Sequence, residues 1–391
     1  YYLDDVYKAS AQNKFTVVST FAGGGGSSTG YRLAGGKILL INEFVEEAIA
    51  SYKENYADTP VLVDDIKKYS GQDFLDKTNL KVGELDILDG SPPCSAFSVA
   101  GKREKGWGKE KTYSDGKLQV AIEDLFYEFI RIANDIQPKV IIAENVKGIT
   151  FGAAIGKLNT FINAFQDIGY SVTYRVLNAA DYGTPQARER TIFLCVRNDV
   201  INAINLNYMM MHLIFPSPTT KHISLESAIE TIDNDKEEVK MLRDYYEGSF
   251  QKKFLDPLPF RPLRHTKPSD PQFRDWNPKA SCFNMIRPAP HLPSPTLTQQ
   301  GQQKGLSGVF HYAENRKLTI KELKRVMGLP EDYKLTGTFD KQAERIGRMV
   351  APKMMAAVAA SIYNVVFNHY NKFDIEIPEI EVPGLRFNLT P

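Results

Sequence analysis

Apolar residues follow two alternating periods over residues 14–197. Short runs rich in β-branched and aromatic residues, which are typical of strands, alternate with segments whose apolar residues are spaced as on one helix face. This pattern predicts strands at 15–20, 38–41, 85–89, 140–144, 171–177 and 191–196, and helices at 46–55, 120–135 and 157–169. The order predicts an α/β fold built on a doubly wound, mainly parallel sheet.

The alternation stops after about residue 199. Residues 205–298 hold more than half of the chain's 22 prolines, short polar clusters and no sustained period, so they predict a small irregular domain. Helical patterns return at 318–327 and 354–366, and we interpret the second, rich in alanine and methionine, as core packing. We therefore expect one domain from residues 1–198 and 311–391 and a second from 199–310.

Composition narrows the class of protein. The chain has 391 residues, of which 42% are hydrophobic, enough for a sizeable core. Three cysteines without a Cys-x-x-Cys pair cannot form a disulfide framework and argue against structural zinc, which predicts a reduced, intracellular protein. The sequence also lacks an apolar run of membrane-spanning length and a signal-peptide pattern, so we expect no membrane association.

Charge is unevenly distributed along the chain. The formal net charge of +1 taken alone argues against a protein spread over nucleic acid. However, residues 251–325 hold fourteen basic and five acidic residues, a local charge of +9, whereas residues 226–247 hold eight acidic and three basic residues, or −5. The positive region predicts a surface that faces phosphates and a binding affinity that falls with salt.

A glycine-rich turn follows the first predicted strand. Phe21 leads into a run that contains Gly23, Gly25 and Gly26, and a helix could follow. Glycines at a strand-to-helix turn let the backbone approach a ligand and expose helix N-terminal amides to it. The dinucleotide fingerprint fits badly because a hydroxyl residue stands in place of its third glycine, and no lysine follows at P-loop spacing.

Two carboxylates follow this turn at the ends of the next two apolar stretches. Glu43, with Phe44 after it, lies about 20 residues on, where a carboxylate would meet ribose hydroxyls. Asp65, followed by Ile66, could accept a hydrogen bond from an adenine amino group. Together they predict an adenosine-containing cofactor and leave NAD and S-adenosylmethionine both open.

Three later strands place reactive side chains at the same sheet edge. The strand at 85–89 stops in a proline turn in which Pro93 precedes Cys94, which suits a held nucleophile. Glu144 ends the strand at 140–144, where low dielectric would raise its pKa and let it hold a proton near neutral pH. Arg188 and Arg190 precede the last strand. Because open α/β sheets bind ligands at the carboxyl ends of their strands, we expect one site.

The order of these motifs resembles that of the DNA (cytosine-5)-methyltransferases over nearly the whole chain. The segments that carry the resemblance are Phe21-Ala22-Gly23-x-Gly25-Gly26, Asn42-Glu43, Asp65-Ile66, Pro92-Pro93-Cys94, Glu144-Asn145-Val146, Gln186-x-Arg188-x-Arg190, Pro295-Thr296-Leu297-Thr298, Leu318-Thr319 and 342–352. The resemblance implies a Rossmann-like class I S-adenosylmethionine-dependent methyltransferase fold. It also implies that residues 199–310 are a target-recognition domain and that the substrate is double-stranded DNA.

The same resemblance implies a chemistry. A cytosine is flipped out of the duplex, Cys94 adds to ring carbon 6, and Glu144 protonates ring nitrogen 3. Carbon 5 then takes the methyl group, loses its proton, and Cys94 is eliminated. Arg190 is expected to contact the cytosine carbonyl and Arg188 to support the site. Residues 95–117, with a charge of +3, are expected to close over the DNA as a mobile loop.

One segment departs from the family pattern. Arg348 stands where the family usually has asparagine, in a segment that is expected to pack beside the glycine turn and, with Val350, to line the cofactor pocket. The simpler interpretation is that Arg348 turns to solvent or pairs with the cofactor's amino-acid carboxylate. The sharper hypothesis is that it admits carboxy-S-adenosylmethionine, so that the product is carboxymethylcytosine.

Other functions stay open as alternatives. A transfer-RNA cytosine-5 methyltransferase would use the same residues, although its recognition signature is not evident around residues 281–283. A catalytically silent DNA-binding protein is disfavoured by the intact set of Cys94, Glu144, Arg188 and Arg190, and an NAD oxidoreductase by the missing third glycine. The resemblance further suggests a monomeric, cytoplasmic enzyme, and it leaves open a cognate restriction endonuclease.

Overall fold

In the computed structural model of the protein, seven of the described strands form one sheet, and four short strands form two further pairs. The structure describes residues 1–92, 111–112, 118–119, 122–218, 221–247, 286–305 and 307–370. The strands are β1 (Phe15–Thr20), β2 (Gly36–Glu43), β3 (Val61–Val63), β4 (Ile87–Gly90), β5 (Lys111–Thr112), β6 (Leu118–Gln119), β7 (Val140–Val146), β8 (Tyr170–Asn178), β9 (Gln186–Ala187), β10 (Glu189–Arg197) and β11 (Ser294–Pro295). The two short pairs are β5 with β6 and β9 with β11.

Helices connect most of these strands and complete the chain. They are α1 (Leu3–Ser10), α2 (Gly26–Leu33), α3 (Glu46–Asn55), α4 (Gly71–Thr78), α5 (Ile122–Ile136), α6 (Ile155–Asp167), α7 (Asn198–Ala203), α8 (Leu225–Ile229), α9 (Lys236–Glu247), α10 (Ile320–Met327), α11 (Phe339–Arg348), α12 (Pro352–Ile362) and α13 (Asn368–Tyr370). A π-helical turn, Tyr363–Phe367, joins the last two.

The sheet order is β3-β2-β1-β4-β7-β10-β8. All neighbouring strands are parallel except β10, which is antiparallel to both β7 and β8. The chain moves outward from β1 through β2 to β3 and then returns to the other side of β1 as β4. Such a reversal opens a crevice at the carboxyl ends of the two central strands, where doubly wound proteins bind ligands.

Alternate residues of the central strands feed two hydrophobic cores, one on each face of the sheet. Val17 and Ile142 belong to the core that contains α2 and α12, whereas Val18 and Ile141 belong to the core that contains α5 and α6. Because both faces of these strands are buried, their sequences read as nearly continuous apolar runs. This explains why the strands were recognisable from the sequence.

The predicted α/β fold with a mainly parallel sheet is confirmed. Each predicted strand is present, with ends that shift by at most two residues. The expectation of no regular period between residues 205 and 298 was wrong for α9, a helix of twelve residues. Only Leu242 and Tyr246 of this helix are buried, so its sequence is mostly charged and carries little apolar period. The pattern also missed the short helices α1 and α4.

Residues that follow β10 contribute to the core of the sheet. Val200, Met211, Ile214, Leu225 and Ile229 belong to the same hydrophobic cluster as β1 and α12. The start of the region expected to form a separate recognition domain thus packs on the sheet. The division at residues 199 and 310 stays a prediction.

Within the described residues, one helical run, Phe339–Tyr370, is long and apolar enough to cross a membrane by its length and composition alone. The run is interrupted at Met349, whose backbone is extended, before α12 begins at Pro352. More than half of its apolar window is buried inside the protein, where α12 packs on α2. Core packing therefore accounts for its composition, as it does for other buried helices.

Candidate active site at the carboxyl edge of the sheet

The ends of β1, β2, β4 and β7 lie at one edge of the sheet, together with the start of β10. Because β10 runs antiparallel to β7, Arg190 at its start lies opposite Val146 at the end of β7. Glu144 lies two residues before Val146 on the same strand. Topology thus brings together two groups that are 46 positions apart in the sequence.

Glu144 and Arg190 form an ion pair at this edge. Arg190 Nε lies 2.8 Å from Glu144 Oε1, and the two side chains are 14% and 11% exposed. Burial lowers the pKa of Arg190, and the neighbouring Glu144 carboxylate opposes that shift. The predicted burial of Glu144 is therefore present, but a counter-ion accompanies it, which the strand pattern alone did not reveal.

Arg188 is buried and bonds to the protein backbone rather than to Glu144. Its guanidinium donates to the carbonyl oxygens of Leu297, at 2.9 Å, and Gly347, at 3.3 Å. Burial, and then the charge of Arg190, hold the pKa of Arg188 well below its usual range. Arg188 thereby joins the start of β10 to two segments that resemble the closing motifs of the family.

The glycine turn has a backbone that few side chains would permit. Phe21, Gly23 and Gly25 have φ angles of 52°, 56° and 93°, and Gly26 begins α2. A Cβ on Gly26 would lie 2.3 Å from the carbonyl oxygen of Val350. The segment after α11 therefore packs directly on the turn, as the sequence predicted, and leaves no room for a side chain there.

A pocket opens beside this turn. Its lining combines aromatic rings with carboxylates, from Phe21, Asn42, Glu43, Phe44, Asp64, Asp65, Ile66 and Leu125. This set suits an adenosine, since rings pack on the base and carboxylates accept from its amino and hydroxyl groups. The residues predicted to bind the cofactor at this end thus do line one pocket.

The Glu43 carboxylate also shapes the turn itself. One oxygen accepts from the Gly23 amide at 2.7 Å, and the other accepts from the amides of Phe44 and Val45, both at 2.9 Å. Asp65 accepts from the Lys67 amide at 3.0 Å. Glu43 therefore holds the end of β2 against the glycine turn, a positioning contact in addition to the predicted ribose contact.

Arg348 has a partner within the chain. Its guanidinium donates to the Glu344 carboxylate at 2.7 Å, one helical turn earlier on α11, and its side chain is 24% exposed. Arg348 is thus partly exposed and paired within its own helix, and its expected role toward the cofactor stays a prediction. Arg348 is also absent from the lining of the pocket described above.

A buried aspartate lies beneath the glycine turn and was not among the predicted site residues. Asp89 on β4 is 1% exposed and accepts hydrogen bonds from Ser19, Ser27 and Tyr31, at 2.6, 3.2 and 2.8 Å. Burial raises its pKa to about 6, although the three hydroxyl donors oppose the shift. A charged residue inside an apolar strand was the available signal. Asp89 thus links β1, β4 and α2.

Two further residues near the turn were missed. The Tyr333 hydroxyl donates to the carbonyl oxygen of Gly24 across 309 positions of sequence. The stem of Arg345 on α11 packs on the other side of Gly24. The packing of residues 342–352 beside the turn was expected, but no local signal identifies Tyr333 or singles out Arg345 within that segment.

Much of the predicted basic surface between residues 286 and 325 is engaged inside the protein. Arg287 donates to backbone carbonyls, Arg316 pairs with Glu322, and Lys317 is fully buried beneath Phe310. The count of +9 therefore overstates the charge available to phosphates. The remaining basic residues at positions 252–279 lie outside the described residues, as do Pro93, Cys94 and most of the expected loop at 95–117. Of that loop, β5 is described, and it pairs antiparallel with β6, which follows the loop directly.

Comparisons with known proteins agree with this geometry. The family described as C-5 cytosine-specific DNA methylase matches residues 15–364. The type II methyltransferase M.Eco47II of Escherichia coli is 30% identical over 91% of this chain and 80% of its own length. M1.HphI of Haemophilus parahaemolyticus, also a type II methyltransferase, is 28% identical over 90% of this chain and 88% of its own length.

Solved structures share the fold. A prophage-encoded protein of E. coli, described as a DNA modification methyltransferase, has a TM-score of 0.64 at 19% identity and matches 90% of this chain and 99% of its own. The Dnmt2 structure from Spodoptera frugiperda has a TM-score of 0.57 at 18% identity over 90% and 99% of the two chains. The match over residues 15–364 places this chain in the family of C-5 cytosine-specific DNA methylases, which are S-adenosylmethionine-dependent DNA (cytosine-5)-methyltransferases.

Proposed function

We propose that this chain methylates carbon 5 of a cytosine flipped out of duplex DNA, at the sheet edge that carries Glu144 and Arg190. The observation that carries the proposal is their buried ion pair, which lies on the same edge as the glycine turn and the pocket beside Glu43. Methyl donor and base can thus approach each other across the ends of β1, β4 and β7.

Cys94 is the proposed nucleophile. It follows β4 by four residues and comes directly after Pro92 and Pro93 in the sequence, and its thiolate would add to carbon 6 of the cytosine. Of the two other cysteines, Cys195 lies buried within β10, where burial raises its pKa well above the usual range. A thiol in that environment is not nucleophilic.

Glu144 and Arg190 are proposed to act on the opposite side of the ring. The Glu144 carboxyl holds and donates the proton at ring nitrogen 3, which draws electrons from the carbon 5–carbon 6 bond as the thiolate adds. Arg190 orients this carboxyl through its Nε, bonds the Glu189 carbonyl through Nη1 and offers its Nη2 to the cytosine carbonyl. Arg188 supports the pair by fixing the start of β10 to Leu297 and Gly347.

The proposed methyl donor is S-adenosylmethionine itself. When bound, it supplies a methyl group made electrophilic by its sulfonium. Phe21, Glu43 and Asp65 would hold its adenosine, and the glycine turn would admit the rest. Carboxy-S-adenosylmethionine stays an alternative donor. The cation expected to admit it, Arg348, is paired with Glu344. Nucleoside mass spectrometry after reaction with each cofactor separates the two.

DNA is the proposed substrate rather than transfer RNA, because the relatives named above are type II methyltransferases. That kinship also supports a role in restriction and modification, with a cognate endonuclease as partner. We further propose a cytoplasmic monomer that binds no membrane. A single species at 44.0 kDa in light scattering would support the monomer.

Transfer of a labelled methyl group to duplex DNA and to RNA, offered as competitors, tests the proposal. We expect label in DNA only, at cytosines that resist bisulfite conversion, and none with Cys94→Ala. Label in RNA would favour the transfer-RNA enzyme. Specific DNA binding without transfer would favour the silent DNA-binding protein, and activity retained in Cys94→Ala would contradict the mechanism.

A further inference from the structure

A row of polar side chains crosses one face of the sheet near its carboxyl edge. Ser19 of β1 lies beside Asp89 of β4, and Asp89 lies beside Ile142 of β7. Because side chains two positions apart on a strand share a face, Glu144 follows Ile142 on the face of Asp89. Asp89 therefore stands between the strand that leads into the glycine turn and the strand that carries the carboxyl proposed to protonate the base.

The Asp89 carboxylate holds the start of α2 onto this face. Its Oδ2 accepts from Ser19 at 2.6 Å and from Ser27 at 3.2 Å, and its Oδ1 accepts from Tyr31 at 2.8 Å. Ser27 and Tyr31 both belong to α2, and Ser27 is the second residue of that helix. One buried carboxylate thus fixes the end of the glycine turn to β4, the strand that ends four residues before Cys94.

The charge of this carboxylate does not strengthen the fold. Burial raises the pKa of Asp89 to about 6, the three hydroxyl donors oppose the shift, and the neighbouring Glu144 adds to it. A neutral side chain of the same shape would therefore leave the folded protein more stable near neutral pH. What the charged form provides is order, because it accepts from all three hydroxyls and has no proton of its own to place.

Protonation of Asp89 would disturb these contacts. Within the described residues, the ionisable groups that face it are Tyr31 from α2 and Glu144 from β7, whereas β1 contributes the Ser19 hydroxyl. Glu144 is paired with Arg190, and burial holds the pKa of Tyr31 well above its usual range, so Tyr31 stays a donor. A protonated Asp89 must itself donate, and one of the three hydroxyls must then turn away.

We propose that Asp89 is a positioning residue for methyl transfer, whose carboxylate holds the glycine turn and the strand before Cys94 in one fixed arrangement. This inference rests on the proposed function, because it takes the glycine turn as part of the cofactor site. The cofactor meets a turn that is already ordered. Loss of the carboxylate leaves part of that ordering to be supplied by binding, which lowers the affinity.

Calorimetric titration with S-adenosylhomocysteine at several pH values tests this assignment, because this ligand keeps the same charge between pH 5 and 7.5. In the unmodified protein we expect the Kd to rise about 3- to 10-fold as pH falls through 6, where Asp89 takes up a proton. Asp89→Asn should have this raised Kd already at pH 7.5, and its Kd should vary less than about twofold with pH.

Two neighbouring serines provide a matched pair of variants. Ser27 donates to Asp89, whereas Ser28, which is also buried, has a hydroxyl without a hydrogen-bond partner among the described residues. Ser27→Ala should raise the Kd of S-adenosylhomocysteine about 3- to 5-fold, because it removes the bond between the helix start and the carboxylate. Ser28→Ala should leave that Kd within about twofold.

The outcomes separate a positioning role from a merely structural one. If Asp89→Asn keeps the pH dependence of the unmodified protein, another group titrates and the assignment is overturned. Equal weakening by Ser27→Ala and Ser28→Ala, or a Kd that neither pH nor Asp89→Asn changes, overturns it as well. If Asp89→Asn does not fold, the serine variants and the pH profile of the unmodified protein still decide. Failure of the unmodified protein to bind S-adenosylhomocysteine at any of these pH values would instead overturn the proposed function.

Discussion

Two buried arginine–glutamate pairs in this protein differ in how completely they are satisfied. Arg316 and Glu322 form a two-pronged contact of 2.8 and 2.9 Å, with side chains 3% and 1% exposed. Glu322 also accepts from the Thr319 amide and from Asn234. At the sheet edge, Arg190 meets Glu144 through one contact of 2.8 Å, and both side chains are more exposed.

The difference separates a structural pair from a proposed catalytic one. Burial would raise the pKa of Glu322, but the bonds from Arg316 outweigh it and hold that pKa below its usual range. Both oxygens of this carboxylate are thus engaged by Arg316, Asn234 and the Thr319 amide. Glu144, in contrast, lies at the mouth of the site and retains acceptor capacity for a base. Burial alone therefore does not identify a functional ion pair, whereas unused bonding capacity at a ligand-binding edge does.

The largest expected effect concerns catalysis. Glu144→Gln should lower kcat about 10²- to 10⁴-fold, because the amide cannot donate the proton that ring nitrogen 3 requires. Single-turnover methyl transfer to DNA measures this loss directly. The unfolding free energy should fall less in Glu144→Gln than in Glu322→Gln. Arg190 retains its hydrogen bond to the Glu189 carbonyl, at 2.7 Å, when the Glu144 charge is removed. Near-normal turnover in Glu144→Gln would contradict the catalytic role proposed for the Glu144–Arg190 pair.

The structural pair should affect stability instead. Glu322→Gln is expected to lower the unfolding free energy by about 3–5 kcal/mol, since it leaves the buried Arg316 charge without its main partner. Urea unfolding measures the change, and single-turnover rates at a temperature where the variant is folded should stay within about tenfold of normal. A stable variant with abolished turnover would reverse the roles that we assign to the two pairs.

Asp89 provides a third buried carboxylate, which accepts hydrogen bonds from three hydroxyl groups. Because its pKa is raised from 3.8 to about 6 in the folded protein, its contribution to stability is full below pH ~4 and is lost as pH rises through 6. Asp89→Asn should remove this loss, which amounts to about 3 kcal/mol. Subtracting the two unfolding curves between pH 4 and 8 isolates it. A difference that does not vary with pH would contradict the shift.

The smallest effect is expected from the contact that orients the glycine turn. Tyr333→Phe removes the donor to the Gly24 carbonyl and should raise the Kd of S-adenosylhomocysteine about 2- to 10-fold. Tyr170→Phe is a matched control, because its buried hydroxyl also bonds a carbonyl, that of Pro138, but at the opposite edge of the sheet. Equal effects of both variants would indicate general destabilisation rather than a role in the turn.

Much of the fold could be predicted because its signals are local. Central strands that are buried on both faces have nearly continuous apolar sequences, and the run of glycines identifies the turn between β1 and α2. Glu43 and Asp65 were also predictable, since carboxylates at successive strand ends converge in a parallel sheet.

The remaining features depend on contacts between distant segments. The Glu144–Arg190 pair requires the antiparallel register of β7 and β10, and the position of Arg345 requires the return of α11 to the glycine turn. Arg348 was a predicted cofactor residue because it departs from the family motif, but its side chain pairs with Glu344 one helical turn earlier on α11. The charged helix α9 was missed because only two of its residues are buried.

Covalent capture with DNA that contains 5-fluorocytosine tests the central claim most directly. Fluorine at carbon 5 cannot leave as the proton does, so the enzyme should stall after methyl transfer with its nucleophile still joined to carbon 6. We predict a denaturation-resistant adduct, formed only with S-adenosylmethionine, whose modified peptide carries the base on Cys94. An adduct on Cys195 or Cys282, or none while methyl transfer to ordinary DNA proceeds, would contradict the account.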